Sequence, residues 1–253
     1  MRFKRKTAIL LFFLIVVAAY IAYICKQTIT FDSEASLSSY CLADYWMRIN
    51  HGLPYFEEVF IPATIGCYVI VFKTTDYIRV MRYPKKVTVF QECQKYIFLW
   101  EWMLSMVIIA IPAVVFLSMG RSAYNWNEIV SFYTMKTGSP IRGVSLFPVL
   151  AVYFISMLFK NLFFAMLIQL FLWKRWNMIL GAGIMMGWCV MEALQQNVPV
   201  LINSVAFTYD VWSSDGIYLT WSVALLLFVA MYIYTLHSVR IAEVLERERF
   251  DIT

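Results

Sequence analysis

The sequence predicts an all-α polytopic membrane protein with six transmembrane helices, and three observations predict it. First, 62% of the 253 residues are hydrophobic and only 15% are charged, with a mean hydropathy of +0.69. A soluble domain of this length does not need so much apolar surface. Second, the apolar residues gather into runs near 8–25, 57–80, 96–119, 145–173, 176–198 and 217–237, within one membrane domain covering 1–253. Third, the basic residues are unevenly shared. With both termini inside, fifteen of the 21 Lys and Arg residues fall in inner segments, five in outer loops, and Lys160 within a span. That bias orients the chain.

The first span follows Met1–Lys6 (MRFKRK). Its run from Ala8 to Ile24 is too long for a signal-peptide core and lacks an A-x-A-like site, so it reads as a retained helix. Thr28 to Pro54 reads as an outer loop. In it Leu37, Tyr40, Cys41, Tyr45 and Ile49 share a face, as in a short helix on the membrane surface. His51-Gly-Leu-Pro ends that loop, and His51 has no second histidine on its side of the membrane to share a metal. The second span carries Pro62 in its first turn. The third carries Pro112, which frees the carbonyl of Ile108, and Glu101 between Trp100 and Trp102, read as hydrated at the inner interface.

Gly120 to Arg142 forms a second outer loop, with Tyr124, Trp126, Phe132 and Tyr133 placed for the interface. The fourth span holds Lys160-Asn161 near its middle and ends at Lys174-Arg175. The fifth contains Gly183-Ile-Met-Met-Gly187, a spacing that lets helix backbones approach, and turns polar from Glu192. Val200 to Phe207 is apolar but too short to cross, so the stretch before the sixth span is placed as re-entrant in the outer leaflet. A charged amphipathic helix, Arg240 to Arg249, ends the chain inside. Five cysteines show no CxxC spacing; only Cys25 and Cys41 are placed to meet on the outer face.

Two features carry the chemistry. By depth along their helices, with a rise of ~1.5 Å per residue, Lys160 and Glu192 reach similar levels on spans joined by a short turn. Opposite charges there either pair or share a hydrated cavity; alternatively Lys160 snorkels while Glu192 is wet at the outer rim. The other feature is the polar island Lys73–Lys95, with Lys73, Arg79, Arg82, Lys85, Lys86 and Lys95 against Asp76 and Glu92. Pro84 breaks it, and Val89, Phe90, Cys93, Tyr96 and Ile97 then follow one helical face. It reads as an amphipathic element at the inner surface, open to a soluble partner or resting on anionic headgroups. No P-loop, H-E-x-x-H or G-x-S-x-G occurs, so neither nucleotide binding nor protease chemistry is expected.

Within that island, Arg82-Tyr83-Pro84-Lys85-Lys86, after Val80-Met81 and before Phe90, resembles the hydrophobic-Arg-Tyr-x-x-Lys/Arg-Lys stretch of small ABC-2-type (type V) exporter permeases. These six-span subunits are linked to bacteriocin or antimicrobial-peptide export and immunity. Pro84 or Lys85 stands where members usually carry a small residue, and the Trp often found near Phe90 is missing. The resemblance implies a coupling helix between spans two and three, with Arg79, Arg82, Tyr83, Lys85, Lys86 and Phe90 docking on a separate ATPase. It also implies a re-entrant segment at about Pro199 to Ser214, pairing with a second permease copy or sibling, and a place in the bacterial cytoplasmic membrane. ATP would be bound by the partner, and the chain would hold no cofactor and do no catalysis itself. A non-transporting immunity or scaffold subunit is the competing expectation; no nucleic-acid partner is expected.

Overall fold

The computed structural model describes residues 2–31, 39–50, 52–74, 86–174, 181, 183–184, 186–187, 190–191, 212 and 216–251. Among these, every regular element is helical: α1 (Arg2–Phe31), α2 (Leu42–Ile49), α3 (Gly52–Tyr55), a π-helical turn (Phe56–Phe60), α4 (Ile61–Thr74), α5 (Lys86–Ser118), α6 (Phe132–Thr137), α7 (Leu146–Trp173) and α8 (Gly216–Asp251). Four stretches are long and apolar enough to cross a membrane: Ala8–Thr30, Gly52–Val71, Lys86–Ser118 and Leu146–Phe171. Together they make the chain a multi-pass membrane protein. Within α8, Leu225–Ile241 is a shorter apolar stretch. The expected fifth span falls largely outside the described residues.

The second span differs from expectation at its N-terminal end. It begins at Gly52, whose φ of +64° lets the chain turn sharply out of α2. Pro62, one residue into α4, cannot donate a backbone hydrogen bond. The π-helical turn just before it shifts the ladder, with the Ile61 N–H donating to the Phe56 carbonyl.

The third span belongs to a longer helix, extended at its N-terminal end. The helix that carries the expected span at 96–119 begins earlier: α5 runs unbroken from Lys86 to Ser118 with Pro112 inside it. Its buried residues explain the continuity: Val89, Phe90, Cys93, Ile97, Trp100, Glu101, Leu104, Ser105 and Ile108 repeat at helical spacing. One face therefore packs from end to end, against α1, α4, α7 and α8. Tyr96, expected on that face, is 39% exposed.

Close packing here depends on small residues, since lipid tails are as apolar as the helices. At Gly66 in α4 a Cβ would lie 2.0 Å from the Trp100 ring of α5. Only a glycine lets that indole lie on the α4 backbone.

The largest departure is α2. A helix on the membrane surface would leave one face wet, yet Leu42, Ala43, Asp44, Tyr45, Trp46, Met47 and Ile49 are all buried. The loop between α5 and α7 closes over it. Backbone N–H groups of Leu42 and Ala43 donate to the carbonyls of Ser122 and Ala123 (3.2 and 3.3 Å). Trp126 donates through Nε1 to Asp44 Oδ1 at 2.8 Å, while Asp44 Oδ2 accepts the Cys41 N–H at 2.8 Å. Trp126 and Tyr133, expected at the interface, are instead fully buried and stacked on each other at 4.8 Å. Gly138, at φ +80°, ends α6 under this cap. Cys25 and Cys41 are both free and buried.

Candidate functional site in the polar core

Buried polar side chains line the inside of the bundle, and Lys160 is central to them. It lies 14 residues beyond Leu146 and 13 before Trp173, hence at the middle of α7, and is 3% exposed. Its ammonium donates to the backbone carbonyl of Asn50 and, at 2.9 Å, to Asn50 Oδ1. It also lies over the Tyr55 ring, 4.6 Å from the centroid. Asn50 is the C-cap of α2, so the lysine meets the negative end of that helix dipole. A helix ending inside a membrane leaves carbonyls that water cannot reach. The lysine answers that need.

Two branches leave this point. Towards α1, the Tyr45 hydroxyl donates to Glu58 Oε2 at 2.8 Å, and Arg48 lies 3.7 Å from Glu58 Oε1. Arg48 also donates to Thr28 at 2.8 Å. Glu58 is thereby a paired acid, 2% exposed.

On the other side, the Tyr55 hydroxyl donates to Asn161 Oδ1 at 3.0 Å. Asn161 lines a narrow, closely packed cleft with Thr64, Cys67 and Glu101 among apolar neighbours. Glu101 is wholly buried, which overturns its expected place at the hydrated interface. It stands 15 residues beyond Lys86 and 17 before Ser118, at the middle of α5. The Cys67 thiol donates to Glu101 Oε1, Sγ to O 2.9 Å.

Of the residues singled out by sequence, Lys160 is in this core, and Glu192 lies outside the described residues. Arg79, Arg82, Tyr83 and Lys85 lie outside them too, as does the 199–214 segment apart from Trp212, whose ring meets Trp126 at 5.8 Å. Lys86 is the first residue of α5 and half-buried. Phe90 does not face a soluble partner: it is fully buried with Met166 and Val239, 6.0 Å from the Tyr232 ring.

Sequence reasoning missed Asn50, Tyr55, Glu58 and the burial of Glu101. For Glu101 a signal was present, its helical phase with Ile97, Leu104 and Ile108. Among the described residues no three His, Cys, Asp or Glu side chains converge to hold a metal. No protein-family model, curated protein or solved structure matches this chain.

Proposed function

We propose that the chain is the membrane subunit of a bacterial exporter of peptide or other amphipathic cargo, driven by a separate ATPase that docks near Arg79–Lys86. The observation that carries this reading is the length of α5. Its 33 residues extend ~50 Å at ~1.5 Å per residue, against ~30 Å of hydrocarbon. The surplus is its polar start, where Thr88, Gln91 and Lys95 are exposed. Phe90 fastens that start to α7 and α8. A push on the basic segment before it is thus carried by one rigid rod to Glu101 in the core.

The test is the double reversal Arg82→Glu with Lys86→Glu in the complex purified from native membranes. Co-purified ATPase and its hydrolysis rate should fall with the melting temperature unchanged, whereas Phe90→Ala should lower the melting temperature. Unchanged co-purification and hydrolysis in the double variant would sink the docking role.

A non-transporting immunity or scaffold subunit is the second reading, favoured by the close packing of the core around Lys160 and Glu101. It requires that hydrolysis, if any, be indifferent to cargo. Cargo-stimulated hydrolysis in reconstituted vesicles excludes it.

A further inference from the structure

Helix α1 is the least covered of the four spans. Its apolar stretch is 17% buried, against 44–67% in the other three, and its main support within the chain is α5. The uncovered side is regular. Phe12, Val16, Ala19, Tyr23 and Lys26 are all exposed, and their spacing of four, three, four and three is a heptad seam, the pattern by which parallel helices pack. A helix facing lipid would show the same apolar stripe. The charges beside it separate the two cases.

Two opposite charges stand at one depth on this side of the bundle. The Tyr45 hydroxyl that donates to Glu58 also hydrogen-bonds the Cys25 side chain, so Cys25 of α1 and Glu58 are level. Their chain neighbours Lys26 and Glu57 are therefore level too, each inside a membrane-crossing stretch and each exposed. Among the described residues neither forms an ion pair. The base at this junction, Arg48, is already engaged by Glu58 and Thr28. Helical phase explains why Lys26 and Glu57 miss each other. Glu57 acts on the Tyr20 hydroxyl, and Lys26, six residues beyond Tyr20, is turned ~120° from it, with Val16 and Tyr23 in between. The two charges flank the seam on opposite sides. An ionised side chain turned towards hydrocarbon is costly, so each has reason to meet protein.

We propose that α1 is a self-association surface whose occupant is a second copy of this chain, with Lys26 of each copy paired to Glu57 of the other. When identical helices pack in parallel about a two-fold axis along the membrane normal, one flank of each meets the opposite flank of its partner. Lys26 lies on one flank and Glu57 beside the other, so a single arrangement forms both ion pairs. Phe12, Val16, Ala19 and Tyr23 fill the seam between them, and Ala19 is small enough for close approach. The contact concerns this chain alone and does not depend on the exporter reading.

The experiment is copper-phenanthroline cross-linking of single-cysteine variants of the full chain in lipid vesicles. Val16→Cys and Tyr23→Cys test the seam at two heights, and Leu225→Cys, exposed on α8, reports chance collision. Disulfide-linked dimer at either seam position well above the residue 225 level supports the surface. In the seam-cysteine backgrounds, Lys26→Glu and Glu57→Lys should each cut that dimer by about tenfold or more, because like charges then face each other. The double exchange restores opposite charges and should recover most of the dimer. Lys26→Gln and Glu57→Gln, which place no new charge, should weaken it in the same direction, and melting temperatures confirm that every variant is folded. Cross-linking at both seam positions no greater than at residue 225 overturns the proposal and leaves the face to lipid. Seam cross-linking that no charge variant alters, or losses that the double exchange does not recover, overturn the pairing of Lys26 with Glu57.

Discussion

Lys160 donates to both oxygens of Asn50, the backbone carbonyl and, at 2.9 Å, Oδ1. A cation carried by the middle of α7 therefore closes the C-terminal end of α2. A charge-assisted hydrogen bond is worth ~1.5–3 kcal/mol, and Lys160→Met removes two while leaving a buried carbonyl unanswered. Lys160→Met is expected to lower stability by at least ~1.5 kcal/mol, read as a fall in melting temperature in detergent. An unchanged melting temperature would show that α2 holds its place without the lysine.

Gly66→Ala tests the contact between α4 and α5. The added methyl would stand 2.0–2.4 Å from three atoms of the Trp100 indole. Overpacking of this kind costs ~1–3 kcal/mol. Trp100→Leu is expected to recover part of the loss when combined with Gly66→Ala, and a double-mutant cycle measures the coupling. Strict additivity would mean that the two residues do not meet.

The loop over α2 gives a pH signature. Burial, aided by Cys41, Tyr133 and Asp44, pushes the Tyr124 phenol up from 10.0 to about 12; its hydroxyl donates to the Val144 carbonyl at 2.8 Å. For a group raised on folding, the stabilisation is complete below the unfolded value and is lost as pH rises through the folded one. Stability should therefore decline between pH 10.0 and about 12, with a shallower decline in Tyr124→Phe. Phenolate absorbance reads the titration directly. Identical alkaline profiles for the two proteins would refute the assignment.

Thiol chemistry checks the burial of α2 and the orientation together. Cys25, Cys41, Cys67 and Cys93 are free and buried, so each should react with maleimide only after denaturation, without prior reduction. In a cysteine-free background, Ser139→Cys and Thr88→Cys are at exposed positions. The inside-positive reading expects impermeant reagent to label the first in intact cells and miss the second. Outside labelling at Thr88 would invert the topology. Labelling of Met47→Cys in the folded protein would return α2 to the membrane surface.

What could be read in advance follows the range of the forces involved. α7 was expected at 145–173 and spans Leu146–Trp173, because an uninterrupted apolar run is a local property. The helical face through Val89, Phe90, Cys93 and Ile97 was readable because its period is local, while its continuity into the long α5 was hidden by the polarity of Gln91, Glu92 and Lys95. Asp44 and Asn50 were unreadable as core residues. Their partners, Trp126 and Lys160, stand 82 and 110 residues further on, and no local pattern announces such a pairing.

The burial of α2 has a consequence for biogenesis. Asp44, Arg48 and Asn50 make the segment too polar to partition alone into lipid, while its shelter is built from Trp126 and Lys160, which are synthesised later. As the chain emerges, α1 and the second span can enter the bilayer at once, but α2 has nowhere dry to go. It must wait at the membrane surface until α7 has been threaded and its lysine has arrived. Helix α2 therefore seats only after α7, and a chain truncated before residue 160 should leave it accessible to protease.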